Sequence, residues 1–112
     1  MEDCVFCKIV NGELDTEILY EDEFLIAFKD ISPKASVHLL IIPKEHIPTV
    51  LDLDEDDDLI TRIYRVAKIL ADEYDIAEDG FRIVNNCNQN GGQIVYHLHF
   101  HLLGGEKLGD IA

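Results

Sequence analysis

The segment Tyr96-His97-Leu98-His99-Phe100-His101-Leu102-Leu103 carries an imidazole at every second position. An extended strand repeats every two residues, so it would project all three rings from one side, roughly 6.5–7 Å apart, and turn Leu98, Phe100 and Leu102 to the other. A solvated strand face would be served equally well by Thr, Lys or Glu. Three of the chain's five histidines within five positions point instead to rings that surround one phosphate or one metal ion. With an ordinary pKa near 6.5, a neutral imidazole is a competent nucleophile at pH ~7. Two further features carry chemistry. Cys4-Val5-Phe6-Cys7 has the spacing of a metal or redox pair, although the βαβ context of a redox pair is missing. The turn Asn90-Gly91-Gly92 reads as an ordinary hairpin turn or as a loop whose amides approach an anion.

The elements that must position these groups follow from periodicity. Cys4 to Val10 has helical spacing and stops at Asn11-Gly12. Ile18 to Lys29 reads as two strands around the polar turn Glu21-Asp22-Glu23, and Val37 to Ile42 as a third strand ending at Pro43. Between about Glu55 and Tyr74, the residues Leu59, Ile60, Ile63, Tyr64, Ala67, Leu70, Ala71 and Tyr74 recur at three- and four-residue intervals and predict the main helix. Phe81 to Val84 is a fourth strand, and about Ile94 to Leu103 a last one closed by Gly104-Gly105. The expected fold is α+β: a mostly antiparallel five-stranded sheet, one long helix and a short N-terminal helix, in a single domain over residues 1–112.

Composition narrows the partners. A net charge of −14 argues against nucleic acid polymers, which are held by clustered cations. Much of that charge lies in Asp52 to Asp58, where acids suit the N-terminus of the helix that follows. No apolar run reaches the ~18–20 residues of a membrane span, and the first residues lack the basic start of a secretory signal, so a cytoplasmic protein without a membrane partner is expected. Three cysteines, Cys4, Cys7 and Cys87, do not make a disulfide framework.

The chain resembles the histidine triad family, whose members carry His-x-His-x-His followed by two apolar residues, as His97 to Leu103 does. Phe28 to Ala35, His38 to His46 and Gly91-Gly92-Gln93 are similar to segments of its nucleotide-binding, purine nucleoside phosphoramidase-like branch. The resemblance implies the histidine triad fold and hydrolysis at the α-phosphate of a purine nucleotide, an AMP or GMP derivative. His99 would attack the α-phosphorus to form a nucleotidyl-histidine, which water resolves, while His38 and His101 donate to phosphoryl oxygens. It further implies that Asp30 holds the ribose hydroxyls, that Val5, Phe6, Ile9, Phe28 and Ile31 flank the purine, and that Asn86, Gly92 and Gln93 line the nucleotide site with His99 and His101.

The zinc-containing, bacterial-type variant of the family implies a structural zinc on Cys4, Cys7, His46 and His97, a normal tetrahedral set. Resemblance also implies a homodimer. One position departs: Ile94 stands where the phosphoramidase branch has Ser or Thr, removing a hydroxyl near the leaving group. The alternatives are a dinucleoside polyphosphate hydrolase and a non-catalytic nucleotide-binding or interaction protein. Screening over ~8 Å limits how far the acidic surface discriminates between leaving groups.

Overall fold

The computed structural model describes residues 3–111. Helix α1 (Val5–Val10) is followed by strands β1 (Ile18–Glu21), β2 (Leu25–Lys29) and β3 (Val37–Pro43), helix α2 (Leu59–Glu73), and strands β4 (Phe81–Val84) and β5 (Phe100–Gly104). The strands form one sheet in the order β1-β2-β3-β5-β4, and every neighbouring pair is antiparallel. The expected α+β architecture is the one observed. No helix among the described residues is long and apolar enough to cross a membrane.

Both faces of the central strands are covered, so they read as continuous apolar runs with two destinations. Leu25, Ala27, Leu39, Ile41, Phe100 and Leu102 pack on the α2 side with Ile63, Val66 and Leu70. Ile26, Phe28, Leu40 and Ile42 form a second cluster with Phe6 and Ile9 of α1. This parity fixes the site: even-numbered residues of β3 and odd-numbered residues of β5 share the α1 face, where His38 and His101 emerge. The register places Leu40 opposite His101 and His38 opposite Leu103.

Two boundaries differ from the expected ones. Helix α2 begins at Leu59 rather than near Glu55, because the acidic run turns upon itself and Asp57 Oδ1 accepts the Leu59 amide at 2.9 Å. At its other end Asp75 takes φ 60°, and the Ile76 amide returns to the Ala71 carbonyl at 2.9 Å, burying Ile76 as the helix stops. Strand β5 begins at Phe100 rather than Ile94. The segment before it leaves the ladder for other partners: Gln93 Nε2 donates to the Pro48 carbonyl at 2.8 Å, and the Leu98 amide donates to the Ile47 carbonyl at 2.6 Å. Alternation nonetheless survives, with Leu98 in the α2-side core and His97 and His99 against Phe6.

Candidate active site and metal centre

The three histidines do not converge on one point; they divide. His97, fully buried, turns towards α1, while His99 neighbours His101 and His101 in turn neighbours His38 of β3. Ring centroids are 5.2 Å apart for His99–His101 and 5.1 Å for His38–His101.

Hydrogen-bond partners assign the protons. Nδ1 of His99 lies 2.7 Å from the His97 carbonyl, an acceptor only, so this nitrogen carries the hydrogen and Nε2 keeps its lone pair. Nε2 makes no hydrogen bond among the described residues, and no buried side-chain nitrogen there lacks a partner, so the lone pair opens to solvent although the ring is only 7% exposed. On the other side, the Lys34 amide donates to His38 Nδ1 at 3.0 Å, which places the His38 proton on Nε2. That Nε2–H donates to His101 Nδ1 at 2.9 Å, leaving Nε2 of His101 as a free N–H donor. Asp30 Oδ2 stands 3.4 Å from the same His38 nitrogen, and Asp30 Oδ1 accepts the Ser32 amide at 2.8 Å. The outcome is a bare nitrogen on one ring beside an N–H donor on the next.

Electrostatics keep these rings neutral. Burial is the main cause that lowers the pKa of His99 and of His38, against the opposing charge of Asp30. Burial, then the His99 and His38 charges, push His101 down to about 4, with Asp30 opposing. Asp30, His38 and His101 bring donor atoms within 4.8 Å of one another, a spacing that could hold a cation. The Lys34 amide argues against that use, because it fixes the hydrogen on the His38 nitrogen that a cation would need bare.

A second cluster forms around His97. The Sγ atoms of Cys4 and Cys7 and one ring nitrogen each of His46 and His97 all lie within 4.8 Å. Individual separations are 3.3 Å for Cys4 Sγ to His97 Nδ1, 3.5 Å for Cys7 Sγ to His97 Nδ1 and 3.2 Å for Cys7 Sγ to His46 Nδ1. Tetrahedral zinc with ordinary bond lengths sets its sulfur and nitrogen ligands about 3.5 Å apart, so the donor set fits that ion. Second contacts fit too. Nε2 of His97 donates to the Pro43 carbonyl at 2.7 Å, which leaves Nδ1 bare towards the thiols, and the Cys7 amide donates to Cys4 Sγ at 3.3 Å. Burial and the neighbouring Cys4 hold the Cys7 thiol above its ordinary pKa, a cost that a cation would offset.

Of the apolar residues expected around a purine, Phe6, Ile9 and Phe28 are buried together, with the Phe6 ring 5.0 Å from that of His99. Val5 is exposed, and Ile31 stands 98% exposed next to Asp30. Asn86 Nδ2 donates to the Gly91 carbonyl at 2.7 Å, tying the glycine loop closed. Gly92, at φ 83°, allows that loop to turn. The amides of Gly91, Gly92 and Gln93 donate to Asn88 and Gln89 carbonyls, and the buried Gln93 side chain bonds Asn88, Pro48 and Val95, so the loop is internally braced. Ile94 is 89% exposed. Two participants escaped the sequence reading: Lys34, acting through its backbone, and Asn85, whose Nδ2 donates to the His99 carbonyl at 3.0 Å. No side-chain pattern marks a backbone donor, and an Asn after a strand reads as a turn residue.

The profile of the HIT domain family matches residues 11–108. A purine nucleoside phosphoramidase of Escherichia coli strain K12 is 48% identical over 109 residues, covering 96% of this chain and 92% of its own. A HIT family hydrolase of Legionella pneumophila superposes with a TM-score of 0.92 at 48% identity, covering 96% of each chain. A histidine triad protein of Clostridium difficile superposes with a TM-score of 0.95 at 41% identity, covering 100% of this chain and 98% of its own.

The depressed His101 pKa has a measurable sign. Between pH 6.5 and about 4 the unfolded chain protonates this imidazole while the folded chain refuses the proton. The unfolded state then binds more protons, so unfolding free energy falls as pH drops through that window. The urea midpoint of the wild type should therefore decline more steeply there than that of His101→Gln. Parallel declines would show that His101 titrates as an ordinary histidine.

Proposed function

The chain belongs to the HIT domain family, and from that premise we propose that it is a hydrolase acting at the α-phosphate of a purine nucleotide, through a nucleotidyl-histidine at His99. One observation carries the reading: the His99 Nδ1–H is committed to the His97 carbonyl at 2.7 Å, so the opposite nitrogen is an open, neutral nucleophile. Its lone pair attacks phosphorus in line as the bond to the leaving group breaks. The ring becomes a cation that the His97 carbonyl already accepts from. His101 keeps its Nε2 proton and donates it as a hydrogen bond to a phosphoryl oxygen. The departing amine or oxygen takes its proton from water, and a second water then attacks the adduct and breaks its P–N bond, so that the nucleoside monophosphate leaves and His99 is neutral again. His38, supplying Nε2–H to His101, sets the orientation of that donor and sends charge assistance towards the phosphoryl oxygens.

The nucleoside part follows the same face. Asp30, with Oδ2 beside His38, is the carboxylate for the ribose hydroxyls, and Val5, Phe6, Ile9, Phe28 and Ile31 are the surfaces for the purine. Asn86 and Gly92 line the phosphate end, with Gln93 bracing it. The phosphoramidase name of the Escherichia coli relative favours an amine leaving group, as does a chain of net charge −14, which repels polyphosphates weakly beyond the screening length. In wild-type protein, AMP release from adenosine phosphoramidate should exceed that from diadenosine polyphosphate. His99→Ala should lose it by on the order of 10³-fold or more. Turnover of diadenosine polyphosphate alone would transfer the reading to a polyphosphate hydrolase, and no turnover of either to a nucleotide-binding protein.

We further propose that Cys4, Cys7, His46 and His97 hold zinc as a structural ion, which stabilises a small fold and takes no part in the reaction. Protein purified without chelator should contain about one zinc per chain, and Cys7→Ser should lose the metal and melt several degrees lower. A metal-free wild type would reject the site.

The working form we propose is a cytoplasmic homodimer, with no nucleic acid polymer or membrane as partner. Strand β4 closes one edge of the sheet and leaves partly buried Ile83 and Val84 there, and an unpaired strand edge is a template for a second copy. Sedimentation equilibrium at micromolar concentration should return about twice the 12.7 kDa chain mass; a monomer would reject this arrangement.

A further inference from the structure

Strand β4 ends at Val84, whose ladder partner is His101, and β5 begins at Phe100. His99 is therefore the first residue before the ladder, without a strand partner to hold its peptide. Its carbonyl is held instead by a side chain, Asn85 Nδ2 at 3.0 Å, from the residue that directly follows β4. The neighbouring Asn86 points elsewhere, to Gly91 of the glycine loop. Asparagine is disfavoured at a half-buried sheet edge, where a β-branched residue would simply lengthen the strand. An amide becomes useful there when its donor reaches something that the backbone cannot.

We infer that Asn85 is a positioning residue for the nucleophile, replacing the missing ladder bond and fixing the peptide from which the His99 ring is aimed. The inference rests on the proposed role of His99. The ring is tethered at two points. Nδ1–H is tied to the His97 carbonyl, and the main-chain carbonyl is tied to Asn85. The first tether selects the tautomer; the second holds the plane of the peptide after His99 against β4, so that a rotation of that plane cannot swing Nε2 off line. In-line attack requires reacting atoms about 3–3.5 Å apart and aligned, which makes rate sensitive to such a swing. Asn85 touches neither the phosphate nor the leaving group in this role, so ground-state binding should be indifferent to it.

The test uses single-turnover formation of the His99 adduct from adenosine phosphoramidate, with enzyme in excess, alongside KM and AMP affinity. Asn85→Leu keeps the size and removes the donor, Asn85→Ala guards against a packing fault, and Asn85→Gln retains an amide. Leu and Ala should slow adduct formation about three- to tenfold with KM and AMP affinity within about twofold, and Gln should recover part of the rate. The ¹⁵N resonances of the His99 ring in the Leu variant should broaden while the Nδ1–H tautomer is kept, which a merely structural change elsewhere would not produce. Wild-type rates in both the Leu and Ala variants would overturn the inference while leaving His99 as nucleophile. Absence of an adduct in the wild type, or its persistence in His99→Ala, would remove the proposed function itself and the role of Asn85 with it.

Discussion

The site depends on one hydrogen bond of 2.7 Å, from Nδ1 of His99 to the carbonyl of His97, two residues earlier. It does two things at once. It decides which nitrogen of His99 is bare, and it joins two clusters that also meet at the Phe6 ring, edge-on at 5.9 Å to His97 and 5.0 Å to His99. The ring of His97 is aimed at Cys4 and Cys7 by its own bond to the Pro43 carbonyl, so the residue that completes the thiol–imidazole cluster also presents the acceptor that orients His99.

The remaining proton assignments follow by elimination from backbone groups. A main-chain N–H has only one sense of donation, so the Lys34 amide at His38 Nδ1 dictates the direction of the next bond and leaves the outer nitrogen of His101 protonated. Burial supplies the other half of the condition. A charged His101 would set N–H against N–H and break the bond from His38, whose Nδ1 is already taken by the Lys34 amide, and desolvation keeps that ring neutral down to about pH 4. Asp30 moderates this by favouring the charged forms of its histidine neighbours.

The sheet makes such proximity affordable in a small chain. With β3 and β5 antiparallel neighbours and both faces covered, parity alone sorts apolar residues to α2 or α1 and delivers His38 and His101 to the same side. The loop from Gln93 to His99 then departs from the ladder, which costs backbone bonds that Pro48, Ile47 and Asn85 partly restore. Alternation outlasts the ladder, so His97 still turns to the α1 face and meets the cysteine cluster there.

Local pattern was enough to determine the order of elements, the antiparallel sheet, the covered helix face and the candidate residues themselves. Period-two alternation and three-to-four spacing are carried by neighbouring residues, and the matched segments are contiguous. The start of β5 was not readable in the same way, because alternation continues through His97 and His99 after the ladder bonds have stopped. Tertiary structure alone decided the division of three similar histidines into one thiol-facing ring, one ring tied to the His97 carbonyl and one that accepts from His38. Their tautomers, and the parts of Lys34 and Asn85, are set by carbonyls and amides brought together from distant positions. Every residue carries those groups, so no side-chain pattern records which of them will meet.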